Sequence, residues 1–189
     1  MERQTDGELD DVSLAHARRG EPRACRRLVE RYERPVFALL SRMLLGRERA
    51  LVEDLAQETF LRVFRALPRF EPGGPARLST WILTIATRLA LDELAKRRPP
   101  LAPLEDAARV PAAVPLDELE RERLRRAIGR ALAGLSADQR AVFVLREHHE
   151  LEYDEIARAL ELDLNTVKSR LFRARTALRA ALSEVRDER

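Results

Sequence analysis

Apolar residues recur every three or four positions along nearly all of this 189-residue chain, a spacing that fits helices and no strand. Leu28, Val29, Tyr32, Val36, Leu39, Leu40 and Met43 trace one face of a long helix, with Pro35 as a point of adjustment inside it. Leu51, Leu55, Phe60, Val63, Phe64 and Leu67 trace another, which ends at Pro68. A loop dense in Pro and Gly follows, PRFEPGGPARLS. Ser79 or Thr80 is placed to cap the next helix, TWILTIATRLALDELAKRR, which stops before Pro99 and Pro100. A charged fraction of 35% with only 5% aromatics suits amphipathic helices better than a sheet. The expectation is an all-α protein without internal repeats.

The period is lost once. RRPPLAPLEDAARVPAAVP holds five prolines and few bulky apolar residues, and reads as an extended linker with polyproline character. Two small helical domains are therefore expected, at about 8–98 and 117–185, joined by a flexible linker over 99–116. Inside the second, GLSADQR marks a break. Ser136 precedes Gln139 by three residues there, the spacing of a capping box ahead of AVFVL.

Several function classes are disfavoured. A single cysteine, Cys25, excludes an internal disulfide and fits a small core side chain in a reducing compartment. The start, MERQTDGELDDVS, is polar and acidic, the opposite of a secretion signal, and no apolar run is long enough to cross a bilayer. A cytoplasmic protein without membrane insertion is expected. His148, His149, Glu150, Glu152, Asp154 and Glu155 are ligand-type residues in one short window, but adjacent histidines on a helix point about 100° apart. There is no HExxH or Cys/His spacing, no Gly-rich phosphate loop and no nucleophile–base pair. No metal, no cofactor and no catalytic residue are expected; a polar helix end accounts for the cluster.

The informative stretch is LNTVKSRLFRARTALRAAL, residues 164–182, which carries Lys168, Arg170, Arg173, Arg175 and Arg179 and no acid. Val167, Leu171, Ala174 and Leu178 repeat at i, i+4, i+7 and i+11 and form its inner face. Ile156, Ala157 and Leu160 form that of a short preceding helix. With the small Ala157 at the crossing, the pair reads as a helix-turn-helix, whose second helix enters the major groove of DNA. Lys168, Ser169, Phe172, Arg173 and Arg175 then lie on or beside the outward face, where a carboxylate would oppose phosphate. The acids gather just before it, at Glu150, Glu152, Asp154, Glu155 and Glu161. Asp163 or Asn165 is suited to cap the second helix, and either tolerates unusual backbone angles in a turn that lacks glycine. A solvated basic face is the alternative. The net charge of +3 does not decide between them, and an arginine-rich chain can equally reflect a GC-rich genome.

In the first half, Asp54, Gln57, Glu58, Arg62 and Arg65 stay outside their helix, a mixed face suited to a protein partner or simply to water. In the next helix Ile82, Ile85 and Leu89 point inward. Thr84, Thr87, Arg88 and the terminal cluster Lys96, Arg97 and Arg98 are expected outside, and Trp81 in the core.

Three segments in this order, EDLAQETFLRVFRAL, STWILTIATRLALDEL and LSADQRAVFVLREHHELEYDEIARALELDLNTVKSRLFRAR, resemble the sigma-70 family of bacterial RNA polymerase sigma factors, in the short form of the extracytoplasmic-function group. The resemblance implies a promoter-specificity subunit with a region 2 bundle and a region 4 helix-turn-helix. Asp54, Gln57, Glu58 and Arg62 would bind core polymerase. Thr84 and Arg88, with the loop from Arg69 to Ser79, would meet the −10 element and hold an extruded base. Lys168, Ser169, Phe172 and Arg173 would read the −35 element, while Thr166, Arg170 and Arg175 hold phosphates. The implied partners are core RNA polymerase (β′ clamp helices and β flap), promoter DNA and an anti-sigma protein. Against the family pattern, Phe64 stands where tryptophan is common, Glu150 and Asn165 where glycines are frequent, and Asp163 where proline is. The rival reading is a stand-alone helix-turn-helix regulator that binds duplex operators as a dimer.

Overall fold

A computed structural model describes residues 8–96 and 116–187. Among them are eight α-helices and no strand: α1 (Asp11–Arg18), α2 (Pro22–Met43), α3 (Arg49–Ala66), α4 (Leu78–Ala95), α5 (Leu116–Ala133), α6 (Ala137–Glu147), α7 (Tyr153–Leu160) and α8 (Leu164–Asp187). A 3-10 turn, Leu67–Arg69, follows α3. Apart from Leu116, the expected linker lies outside the described residues, as do Arg97 and Arg98.

The helix faces follow the apolar spacing. Leu28, Tyr32, Val36, Leu39, Leu40 and Met43 of α2 are buried, with Val29 packed at the edge. Pro35 sits inside α2 without ending it; a fully buried face offsets the ~3 kcal/mol that an interior proline costs. In α8, Val167, Leu171, Ala174 and Leu178 are all buried, as their spacing requires. Cys25 is only half-buried, its thiol 3.8 Å from the Ala17 carbonyl.

Two helix starts are built as expected and one is not. Ser136 and Gln139 form the reciprocal capping box of α6, at 3.2 and 3.1 Å. Asp163 accepts from the Thr166 N–H at 2.9 Å and from its hydroxyl, which holds the Asp163 carboxyl below its ordinary range. At α4, however, the N-cap position is Arg77, and Ser79 and Thr80 lie inside the first turn. The Ser79 N–H and hydroxyl are held instead by Glu8, 71 residues away in sequence. Glu8 also accepts from the Tyr32 hydroxyl at 3.0 Å, and the Leu9 N–H donates to that hydroxyl. Burial, with the Glu8 carboxylate beside it, pushes the Tyr32 phenol up. Glu8 is thus a structural cap for α4.

The turn between α7 and α8 also departs from expectation. The left-handed residue is Glu161 at φ 56°, not Asp163 or Asn165, and Glu150 adopts φ 57° ahead of α7. Leu162 N–H reaches back to the Ala157 carbonyl at 2.8 Å, closing α7 in the manner of a Schellman turn.

The two helical groups pack on each other. α6 lies against α2 and α4, α7 lies against α4, and one apolar core runs from Leu14 through Leu171. Arg140 of α6 fixes this junction. Its guanidinium donates to Leu132, Ala133 and Leu135 carbonyls at the end of α5 and just beyond it, at 2.9, 3.0 and 3.2 Å, and to the Met43 carbonyl at the end of α2 at 2.7 Å. Helix C-termini leave orphan carbonyls and a partial negative charge, and one buried cation answers both at two helices. Burial lowers the guanidinium pKa from its ordinary value, yet an arginine stays charged in proteins. Arg140→Ala strands those acceptors and is expected to cost about 3 kcal/mol, with lysine recovering only part because it lacks the planar fork. Thermal unfolding followed by circular dichroism measures both.

Candidate nucleic-acid interface

The outward face of α8 is open. Lys168, Ser169, Phe172 and Arg173 are exposed and Thr166 is half-buried. No carboxylate among the described residues pairs with Lys168 or Arg173. Arg170 and Arg175, at the flanks, rest on α6: Arg170 pairs with Asp138 at 2.9 Å, and Arg175 Nε with Glu147 at 2.9 Å. Those carboxylates aim the two guanidinium groups, and the Glu147 pair raises the Arg175 pKa. Phe172 is 69% exposed, an apolar side chain with no share in the core.

α3 presents a second face. Asp54, Gln57 and Arg62 are exposed and Glu58 is half-buried, with Glu58 and Arg62 paired at 2.8 Å along one helical turn. Leu61 falls in the same stripe and is 51% exposed. Its sequence position does not single it out, because only the structure shows which leucines of this helix find a core. Beside the stripe lies an open groove of about 470 Å³ between α2 and α3, lined by Val29, Phe37, Ala56, Gln57 and Phe60 among others.

The face of α4 is partly covered, with Arg88 still exposed. Thr84 is half-buried, with its hydroxyl on the Thr80 carbonyl at 2.8 Å, and Arg88 is turned onto α7. There Arg88 donates to the Ala159 carbonyl at 3.2 and 3.3 Å and to Glu161 at 2.6 Å. Thr87, expected outside, is fully buried and bonded to the Leu83 carbonyl at 2.8 Å, because packing against both α2 and α3 encloses more of α4 than a single-faced helix would lose. Trp81 is half-buried and meets Phe70 at 5.0 Å between ring centroids. Arg69 is exposed at the start of the loop.

His148 and His149 lie edge to face at 4.7 Å between α6 and α7, and no group of three or more His, Cys, Asp or Glu side chains converges among the described residues. Burial, then His148 and then Arg42, push His149 down from 6.5 to about 4. The folded chain therefore holds His149 neutral where the unfolded chain binds a proton. Its contribution to stability is complete above pH 6.5 and is lost as pH falls toward about 4. The thermal midpoint of the native chain should fall more steeply across that window than that of His149→Gln. By contrast, Phe172→Ala should change stability by no more than ~0.5 kcal/mol, measured by urea denaturation.

Residues 28–99 match Sigma-70 region 2 and residues 125–178 match Sigma-70, region 4. The ECF RNA polymerase sigma-E factor of Escherichia coli (strain K12) is 33% identical over 180 residues, spanning 89% of this chain and 92% of that protein. The RNA polymerase sigma-H factor of Pseudomonas aeruginosa is 32% identical over 186 residues, spanning 93% and 94%. Among solved structures, CnrH in complex with the cytosolic domain of CnrY is similar at a TM-score of 0.63 and 27% identity, over 92% of this chain and 96% of that one. The sigma factor RpoE in complex with the anti-sigma factor NepR from Bartonella quintana has a TM-score of 0.64, over 84% and 96%; at 21% identity it speaks to the fold alone.

Proposed function

This chain belongs to the sigma-70 family of RNA polymerase sigma factors, in its extracytoplasmic-function group, and on that premise we propose how its surfaces divide the work of directing promoter-specific transcription initiation. Residues 8–98 act as region 2 and 117–185 as region 4, joined by 99–116. On α3, Asp54, Gln57, Glu58 and Arg62 engage core polymerase, with Leu61 as the apolar anchor in their midst. On α4, Thr84 and Arg88, with Arg69 at the head of the loop, meet the −10 element. On α8, Lys168, Ser169, Phe172 and Arg173 read the −35 element in the major groove, while Thr166, Arg170 and Arg175 hold phosphates. The chemistry of RNA synthesis stays with polymerase, and the chain works in the cytoplasm. An anti-sigma protein is the proposed regulator, as membership of this family implies.

The observation that carries the reading is α8: Val167, Leu171, Ala174 and Leu178 are buried while the opposite face, over residues 164–182, is basic, acid-free and open. A phosphate partner requires that arrangement and the fold alone does not. A stand-alone operator-binding regulator would use α8 as well, but it gives the stripe on α3 no task. Gel filtration of the purified chain with core polymerase, followed by initiation from DNA upstream of its own gene, distinguishes them. Gln57→Ala/Glu58→Ala should weaken the core complex at least ten-fold, about 1.4 kcal/mol. Phe172→Ala should leave that complex intact and reduce initiation. A chain that ignored core and shifted duplex DNA alone as a dimer would establish the regulator instead.

A further inference from the structure

We propose that residues 8–18 clamp the loop between α3 and α4 at both of its ends, which makes Glu8 and Arg18 positioning residues for reading the −10 element. The functional reading above supplies what the loop does, and the following contacts supply what holds it. At its start, the Arg18 guanidinium donates to the Pro68 carbonyl at 3.1 Å, inside the 3-10 turn that delivers Arg69. At its end, both Glu8 oxygens accept the Ser79 N–H at 3.3 Å and one accepts the Ser79 hydroxyl, two residues past Arg77. Glu8 and Arg18 are ten residues apart in sequence, and α1 fixes the distance between them. Asp10 caps that helix on the Ser13 N–H at 2.8 Å, and Leu14 and Ala17 bury its inner face. Tyr32 of α2 ties down the Glu8 end, donating to Glu8 at 3.0 Å and accepting the Leu9 N–H at 3.1 Å.

The loop needs such clamps because little lies beneath it. Residues 71–75 are exposed. Between the loop and α1 is a cavity of about 550 Å³, walled by Glu8, Asp10 and Asp11 on one side and by Phe70, Pro72 and Gly73 on the other. Gly73 turns at φ 79° and the Gly74 N–H closes on the Glu71 carbonyl at 3.1 Å, so the tip has a local shape of its own. Burial of Phe70 and Leu78 pulls the two ends inward, but apolar contact has no direction. The hydrogen bonds at Pro68 and Ser79 do, and they set where Arg69 and Arg77 leave the backbone. A loop already ordered in the free chain does not lose that freedom again when a strand binds. With three carboxylates and one guanidinium, Arg77, on its walls, the cavity side repels phosphate and leaves the outer side of the loop to nucleic acid.

Arg18 carries a sign of this task. Its Nε is enclosed and has no hydrogen-bond partner among the described residues. An enclosed N–H left so is costly, and a methionine would fill the same space without that cost. What needs the guanidinium is the Pro68 carbonyl, not the packing of α1.

The test uses the full chain with core polymerase and DNA from upstream of its own gene, native or carrying single-base substitutions in the −10 element. The quantity read is the ratio of initiation on native to substituted DNA, taken on one preparation so that the folded fraction cancels. Arg18→Met and Glu8→Ala should each lower that ratio roughly five-fold, about 1 kcal/mol. Core affinity and binding to DNA carrying the −35 element alone should not change. Glu8→Gln, which keeps an acceptor for Ser79, and Arg18→Lys, which keeps a donor for Pro68, should restore most of the ratio. In the free chain, trypsin should cut after Arg69 and Arg77 faster in Arg18→Met and Glu8→Ala than in the native chain. Initiation that falls by one factor on native and substituted DNA alike shows a structural role only and overturns the proposal, as does loop cleavage that the variants leave unaltered. A native chain that binds core and initiates, with a ratio that ignores both variants, leaves the functional reading standing and overturns the clamp. A native chain that never engages core removes that reading and the clamp's role with it.

Discussion

Arg140 is the residue on which the arrangement of this protein turns. Helices must end, and each end leaves carbonyls that water or a donor has to satisfy. α2 and α5 end at the same buried junction, where water has little access, and one guanidinium serves both. Its planar fork sends donors in fixed directions, so the position of α6 determines where those two helix ends can lie. The apolar core continues through that junction from the first helical group into the second. A burial force alone has no direction; the guanidinium supplies one.

The charges around this junction are sorted by partner and not by quantity. The net charge is only +3, yet three kinds of arginine coexist. Arg140 is buried on carbonyls. Arg77 and Arg88 are half-satisfied by the carboxylates of Glu155 in α7 and Glu161 just past its end. Arg173 stands open on α8 with no acid beside it among the described residues. The same side chain is thus a buried brace, a half-exposed ion-pair partner and an open surface cation, and desolvation distinguishes them: the more completely water is excluded, the less the group can trade partners. The acids in and just after α7 are central to that sorting. Glu155 and Glu161 answer the arginines of α4, while the Arg146 guanidinium sits on the Leu151 carbonyl and over the Tyr153 ring, bracing the start of α7.

Much of this is legible in the chain alone, and the illegible parts have a common cause. The faces of α2 and α8, the capping box at Ser136 and the outward set Lys168, Ser169, Phe172 and Arg173 all follow from spacing within a turn or two of helix. Thr87 departs from its expected place because a helix enclosed by two neighbours buries more than its apolar stripe. Ser79 and Thr80 are the local candidates to cap α4, and nothing near them in sequence points to Glu8. Asp163 and Asn165 tolerate a left-handed backbone, yet it falls on Glu161, whose pairing with Arg88 no local rule contains.

The sequence by itself determined the helices, their apolar faces, the break between two helical groups and the acid-free run over 164–182, because each is written in residues three or four apart that share a face. The tertiary structure decided which polar residues are free. Arg88 and Arg173 look alike in the sequence, both basic and both outward on amphipathic helices. One lies against a carbonyl and a carboxylate more than 70 residues away and the other faces solvent. Periodicity fixes the direction in which a side chain leaves its helix; what it meets there depends on how the helices pack.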